Sequence, residues 1–374
     1  MASKEYAEKA WVDYKHVKIL QRPNVTFVQG TVTNVDCENK TATISERKTQ
    51  KTRIESYDFF IAATGLRRVW PVVPQALTRD TYLAEVGAHI DRVLNSTAPV
   101  LVVGGGTFFF PLSCASFIIY RIYQIILQFT HKHLLTAYTK QLGAVGIEMA
   151  AELKHIKPDV QVTLAHSRSK LLSAEPLPDK VKDCALELSE QAGVEVLLNH
   201  RLASSTPVHH PDGSVAYDVE FTNGHKMVCS EVITAISNSI PSTSYLPSSA
   251  LDEDGYVNVR STMQFPQDVP NADAHFAVGD LIHWSGIKRC GGAMHEGKYA
   301  AWNVHQIMLE ELQGKEPNFS ELAEIPPMIG LAVGKNGISY GNEGMNYGPQ
   351  VMQYFFEEDL GFRSKFRNKE AHPD

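Results

Sequence analysis

The sequence predicts an α/β fold, and three observations carry that prediction. Strands and helices alternate through residues 99–235. An apolar strand runs into Gly104-Gly105-Gly106. Two further apolar strands end in small-residue turns, Ala63-Thr64-Gly65 and Gly279-Asp280. The chain has 374 residues, enough for two or three domains with a buried core.

Taken in order, residues 24–35 (NVTFVQGTVTNV) and 41–45 alternate apolar and polar side chains, as a meander of short strands does. Residues 57–62 (YDFFIA) form a continuous apolar run, which predicts a strand buried in a parallel sheet. Residues 71–74 read as a linker and 83–94 as a short amphipathic helix. Residues 100–103 are a buried strand. Residues 147–156 carry apolar side chains at helical spacing, and Pro158-Asp159 stops that helix. A strand at 160–165, a helix at 181–192, a strand at 194–198, a hairpin of 215–221 with 226–229, and a strand at 231–235 follow. Residues 274–278 form a further strand and 292–313 a helix. From residue 325 the chain has glycine-broken strands and then a charged tail.

Composition excludes several classes of function. Hydrophobic content of 43% and charged content of 21% are ordinary for a globular protein. A net charge of −7 argues against general binding to nucleic acid phosphates. The five cysteines (Cys37, Cys114, Cys184, Cys229, Cys290) contain no C-x-x-C pair, which removes the thioredoxin-type disulfide and the common zinc pattern. No metal site is expected. The polar N-terminus, MASKEYAEKAWVDYKHVK, has no secretory apolar core.

The glycine turn is interrupted by residues 107–143, which begin TFFFPLSCASFIIY. Joining Gly106 directly to Ala144 yields G-G-G-A-V-G, a G-x-G-x-x-G pattern between a strand and a helix. In that pattern Gly104 permits the tight turn and Gly106 lets backbone approach a pyrophosphate. Gly146 lets the helix pack closely on the strand, and the helix N-terminus offers unpaired N–H groups to the phosphates. The alternative is a glycine-rich turn with a packing role only. After the second strand come His166-Ser167-Arg168 and Lys170, with no carboxylate before Glu175. A basic residue there accommodates the 2′-phosphate of NADP, so Arg168 favours NADPH over NADH. The alternative for Arg168 is a solvated loop charge. Residues 108–129 brush the length and polarity of a membrane helix, but Arg121, two glutamines and Pro111 weaken that reading. The segment also differs in composition from both flanks and suits a short intron translated in frame; a genuine insertion loop is the third reading.

Four marks in order, Ala63-Thr64-Gly65, the glycine turn, Ala235-Ile236-Ser237 followed by SIPSTSYL, and Ala277-Val278-Gly279-Asp280, resemble the two-dinucleotide-binding flavoprotein oxidoreductases. Within them the chain resembles the apoptosis-inducing-factor-like (AMID, ferroptosis-suppressor-like) branch of the FAD/NAD(P)-binding pyridine nucleotide-disulfide oxidoreductases. The resemblance implies tandem Rossmann-like domains, with the FAD domain split around the NAD(P) domain. Residues 1–98 would be the first part of the FAD domain, 99–247 the NAD(P) domain carrying the 107–143 insertion, 248–315 the returning part of the FAD domain, and 316–374 a small α+β region with a tail. It implies hydride transfer from NADPH, or NADH, through FAD to a quinone-like acceptor. Asp280 would hydrogen-bond the ribityl or pyrophosphate part of FAD, with Gly279 allowing close approach. Lys288 would point toward the isoalloxazine ring. Thr64 and Gly65 would lie where the chain crosses between domains, and Glu148 near the nicotinamide. An ordinary first-turn glutamate and a helix N-cap are the alternatives for Glu148 and Asp280. The expected setting is cytoplasmic, with peripheral membrane association or the mitochondrial outer surface as variants.

Family members begin with their own strand–G-x-G-x-x-G–helix unit, and no glycine precedes Gly30 here. The chain is therefore expected to start midway through the FAD domain, without its N-terminal βαβ unit. That expectation carries a second functional reading, a nucleotide-binding or interaction protein that has lost flavin chemistry.

Overall fold

Val100–Gly104 and Val162–His166 are buried along their whole length, as strands with parallel neighbours must be. They form the centre of a four-stranded parallel sheet in the order Glu231–Thr234, Val100–Gly104, Val162–His166, Glu195–Leu197. The computed structural model describes residues 3–47, 49–67, 70, 73–104, 143–235, 240–285 and 290–357. Gly106, Lys288, residues 107–142 of the insertion, the 236–237 turn and the charged tail beyond 357 lie outside the described residues.

The chain divides into two units, one of residues 1–12, 68–238 and 328–374, the other of 13–67 and 239–327. In the first, the helices Gly143–Ile156 and Asp179–Gln191 connect the parallel strands. The expected hairpin is a three-stranded antiparallel meander, because Leu202–His209 joins Val215–Phe221 and Lys226–Cys229. Polar and serine-rich, Leu202–His209 lacks the apolar alternation that would betray a strand; the ladder to its neighbour holds it. Leu202, Val219, Phe221 and Cys229 pack against Leu101, Val103 and Ala165 of the sheet. The amphipathic helix runs Arg79–Leu94, longer than expected, since the Thr78 hydroxyl accepts from the Thr81 N–H and Thr81 returns the bond. Its residues Tyr82, Val86 and Ile90 pack with Ala7 of the N-terminal helix Lys4–Ala10, flanked by Trp11 and Trp70. A meander of Ile329–Val333, Asn336–Gly341 and Gly344–Gly348, followed by the helix Pro349–Phe355, belongs to the same unit.

The second unit holds the meander Gly30–Asp36, Thr41–Glu46, Thr52–Ser56. The continuous strand expected over 57–62 is only Phe60–Ala62, parallel to His275–Ala277. Tyr57 is instead spent on a side-chain bond, its hydroxyl 2.9 Å from His275 Nε2. The core is Val35, Val257, Met263, Phe265, Phe276, Leu281 and Ile282, with Ala300 and Ile307 from the helix Cys290–Gln313. Among the described residues no helix is long and apolar enough to cross a membrane, and no group of histidine, cysteine and carboxylate side chains is placed to hold a metal.

Candidate functional site

Gly104 ends the central strand of the first unit, and Gly146 sits in the first turn of the helix Gly143–Ile156. The structure brings them together. A Cβ placed on Gly146 would stand 3.2 Å from Gly104 Cα, 3.5 Å from Leu164 Cδ1 and 3.6 Å from Ala235 Cβ. Only a residue without a side chain lets this helix approach this strand so closely. The two ends of the interrupted glycine pattern thus meet in space as a dinucleotide turn requires.

The neighbouring strand supplies the rest. Gly104 and His166 are register partners. His166 is 2% exposed. Its Nδ1 lies 2.8 Å from the Gly104 carbonyl oxygen and its Nε2 3.0 Å from Ser173 Oγ. A carbonyl only accepts, so Nδ1 carries the proton and Nε2 accepts from Ser173. Burial holds the imidazole below its ordinary range, which favours this neutral form. Arg168 follows on an exposed loop, its carbonyl accepting from the Asn199 N–H at 3.0 Å. Lys170, the second basic residue of the loop, is engaged: its Nζ is 3.1 Å from Asp179 and 3.0 Å from Asp183. Those carboxylates raise the lysine above its ordinary value. Among the described residues of this loop, Arg168 is the basic side chain not held by a carboxylate.

Glu148 lies two residues beyond Gly146, half-buried. Its Oε1 accepts from the Ala332 N–H at 3.4 Å, which ties the helix to the strand Ile329–Val333. That tether was not legible in the sequence, because its partner is far along the chain.

The second unit carries the other candidates. Gly279 has φ +85°, a left-handed conformation that glycine adopts without strain. Its N–H is engaged by Glu296 Oε2 at 2.6 Å. Glu296, only 7% exposed, lies in the helix Cys290–Gln313 and was missed in the sequence, where it reads as one helical glutamate among several. Asp280 is half-buried; the Tyr256 phenol is raised by burial first, then by the charges of Asp254, Asp252 and, least, Asp280. At the chain crossing, Thr64 Oγ1 donates to the Ser242 carbonyl at 2.8 Å and lies 2.8 Å from Tyr245 Oη. Gly65, at φ +62°, accepts at its carbonyl from the Ser242 N–H at 2.9 Å. Leu66–Arg67 pairs antiparallel with Ile240–Pro241, so the segments that leave and re-enter this unit are stitched together.

These features fit nucleotide ligands. The glycine pair sets helix against strand at a contact a Cβ would obstruct, the close packing of a dinucleotide-binding unit. At the Gly279 turn the backbone donor is already bonded, so a ribityl or pyrophosphate group there would meet Asp280.

Comparison with known proteins agrees. Residues 143–297 match the profile of the pyridine nucleotide-disulphide oxidoreductases. The chain is 44% identical over 363 residues to oxidoreductase OXR1 of Ajellomyces capsulatus, covering 96% of this chain and 70% of that one. It is 30% identical over 168 residues to ferroptosis suppressor protein 1 of Mus musculus, covering 44% of this chain and 43% of that one. Among solved structures it is similar to a water-forming NADH oxidase from Lactobacillus brevis, with a TM-score of 0.51 and 17% identity over 83% of this chain and 57% of that one. The chain therefore spans about half the length of the last two.

Proposed function

From the premise that the chain belongs to the pyridine nucleotide-disulphide oxidoreductases, NAD(P)H-dependent flavin enzymes of Rossmann-like fold, we propose that it takes hydride from NADPH and passes it through FAD to a quinone-like acceptor. One observation carries the nucleotide half of this reading. Gly104 and Gly146 come within a Cβ's reach of one another although 107–143 stands between them in sequence. Arg168, exposed at the end of the adjacent strand, favours the 2′-phosphate of NADPH over the bare ribose of NADH. Glu148 lies at the N-terminal end of the glycine-turn helix, where it would flank the nicotinamide; its bond to Ala332 orients the carboxylate. Asp280 would hold the ribityl or pyrophosphate of FAD, Thr64 and Gly65 would shape the crossing beside it, and Lys288 would face the flavin ring. When bound, FAD supplies the two-electron chemistry, and these residues position the reactants.

The bonded N–H of Gly279 favours a second reading, a nucleotide-binding protein without flavin. Titrating the purified chain with NADPH and NADH, and measuring its flavin absorbance and NADPH oxidation with a soluble quinone, separates the two. The primary reading expects tighter NADPH binding, bound flavin and quinone-dependent oxidation. NADPH binding without flavin or turnover supports the second reading, and failure to bind either nucleotide removes both.

A further inference from the structure

We propose that His166 is a positioning residue that sets selectivity for the nucleotide 2′-phosphate without touching the nucleotide. The inference rests on the reading that Arg168 meets that phosphate. His166 is buried at the end of the second strand and both its ring nitrogens are engaged, so it has no group to offer a ligand. Its two bonds run in different directions. Nδ1–H grips the carbonyl of Gly104, the first glycine of the phosphate turn. Nε2 accepts from Ser173, at the far end of the loop that carries Arg168.

That loop has few ways to move. The strand-side end is held where the His200 N–H donates to the His166 carbonyl at 2.8 Å and the Asn199 N–H to the Arg168 carbonyl at 3.0 Å. The far end turns at Leu172, a non-glycine residue at φ +53° whose side chain is fully buried. A left-handed leucine persists only where its surroundings over-determine it. The imidazole closes this loop and joins it to the glycine turn. It thereby fixes the distance between the Gly104 carbonyl and the Arg168 backbone, so less freedom remains to be lost when the guanidinium meets a phosphate.

The Ser173 bond can be cut while the Gly104 bond is kept. In His166→Asn the shorter amide reaches the Gly104 carbonyl but not Ser173. Ser173→Ala removes the same latch from the other side, and His166→Phe removes both bonds. Calorimetric titration of the full chain with 2′,5′-ADP and 5′-AMP reads the preference for the 2′-phosphate directly, with no need for flavin or turnover. Arg168→Ala is expected to lower that preference by about tenfold or more, the effect of one charge-assisted hydrogen bond. Ser173→Ala and His166→Asn are each expected to lower it about three- to tenfold while leaving 5′-AMP affinity within about twofold. His166→Phe should weaken both probes. If Arg168→Ala collapses the preference but Ser173→Ala and His166→Asn leave it intact, the positioning role is wrong and the phosphate reading stands. If Arg168→Ala leaves the preference unchanged, the phosphate reading falls and the role of His166 falls with it.

Discussion

Each unit has a parallel strand that runs to or toward a glycine, Gly104 in the first and Gly65 in the second, but the two strands are supported differently. In the first, Val100–Gly104 has a parallel neighbour on each side and every residue is buried. In the second, Phe60–Ala62 has one parallel neighbour among the described residues, and Ile61 is 43% exposed. A three-residue parallel pair is not a self-sufficient sheet. The second unit is instead held by an irregular core around Met263, Phe265 and Phe276 and by side-chain ties. His275 joins Tyr57 and the Asn271 carbonyl; Asn271 reaches the carbonyls of Cys37 and Glu38; Asn303 bonds the carbonyls of Thr262 and Ser320. A backbone ladder holds one strand and specific side chains hold the other, so the second should be the easier to loosen by single substitutions.

The largest test is a pair of core truncations. Phe276→Ala should cost about 3–5 kcal/mol and Leu101→Ala about 2–5 kcal/mol. Hydrogen exchange read segment by segment should show Phe276→Ala exposing 257–283 while 100–104 and 162–166 stay protected. Simultaneous loss of protection in both would abolish the contrast.

Next come the buried histidines. His89, 1% exposed in the first unit, packs edge-on to Trp70 at 5.4 Å and has no hydrogen-bond partner on either nitrogen among the described residues. Burial, chiefly, lowers it from 6.5 to about 4. The folded state therefore binds the proton less readily than the unfolded chain. Stability is fully present above about pH 6.5 and is lost as pH falls toward about 4, by on the order of 3 kcal/mol. Denaturation midpoints across that window should show the slope, and His89→Phe should reduce it to what His166 and His275 contribute. His275, also lowered by burial, adds a slope of the same sign in the second unit, and it remains in the His89 variant.

The smallest effects compare the two kinds of glycine. Gly146→Ala presses a methyl to 3.2 Å from Gly104 Cα and should cost about 1–3 kcal/mol while weakening NADPH binding. Gly279→Ala meets, among the described residues, only Ala293 Cβ at 3.5 Å but must hold φ +85°, a cost of about 1–2 kcal/mol without effect on NADPH affinity. Equal losses of NADPH affinity in the two variants would show that the Gly146 contact has no special part in the nucleotide site.

Much of the fold was legible in advance. The helices at Gly143–Ile156, Asp179–Gln191 and Cys290–Gln313 were readable because apolar side chains recur along them at helical spacing. The Val100–Gly104 and Val162–His166 strands were readable because both faces are buried. Leu202–His209 was not, since most of its residues face solvent without alternation and its ladder depends on a strand further on. The shortened Phe60–Ala62 misled for the opposite reason: an apolar run records hydrophobicity, not pairing.

The candidate site divides along the same line. Sequence alone determined which residue types are present: glycines at the ends of a split pattern, a basic loop after the second strand, and Gly279-Asp280 before a helix. Only the tertiary structure decided that Gly104 and Gly146 touch, that Asp179 and Asp183 engage Lys170 and not Arg168, that His166 joins Gly104 to the loop, and that Glu296 holds the Gly279 N–H. The physical reason is range. Periodicity and turn chemistry act over a few neighbouring residues, whereas a close approach or a hydrogen bond between distant residues depends on the path of the whole chain between them.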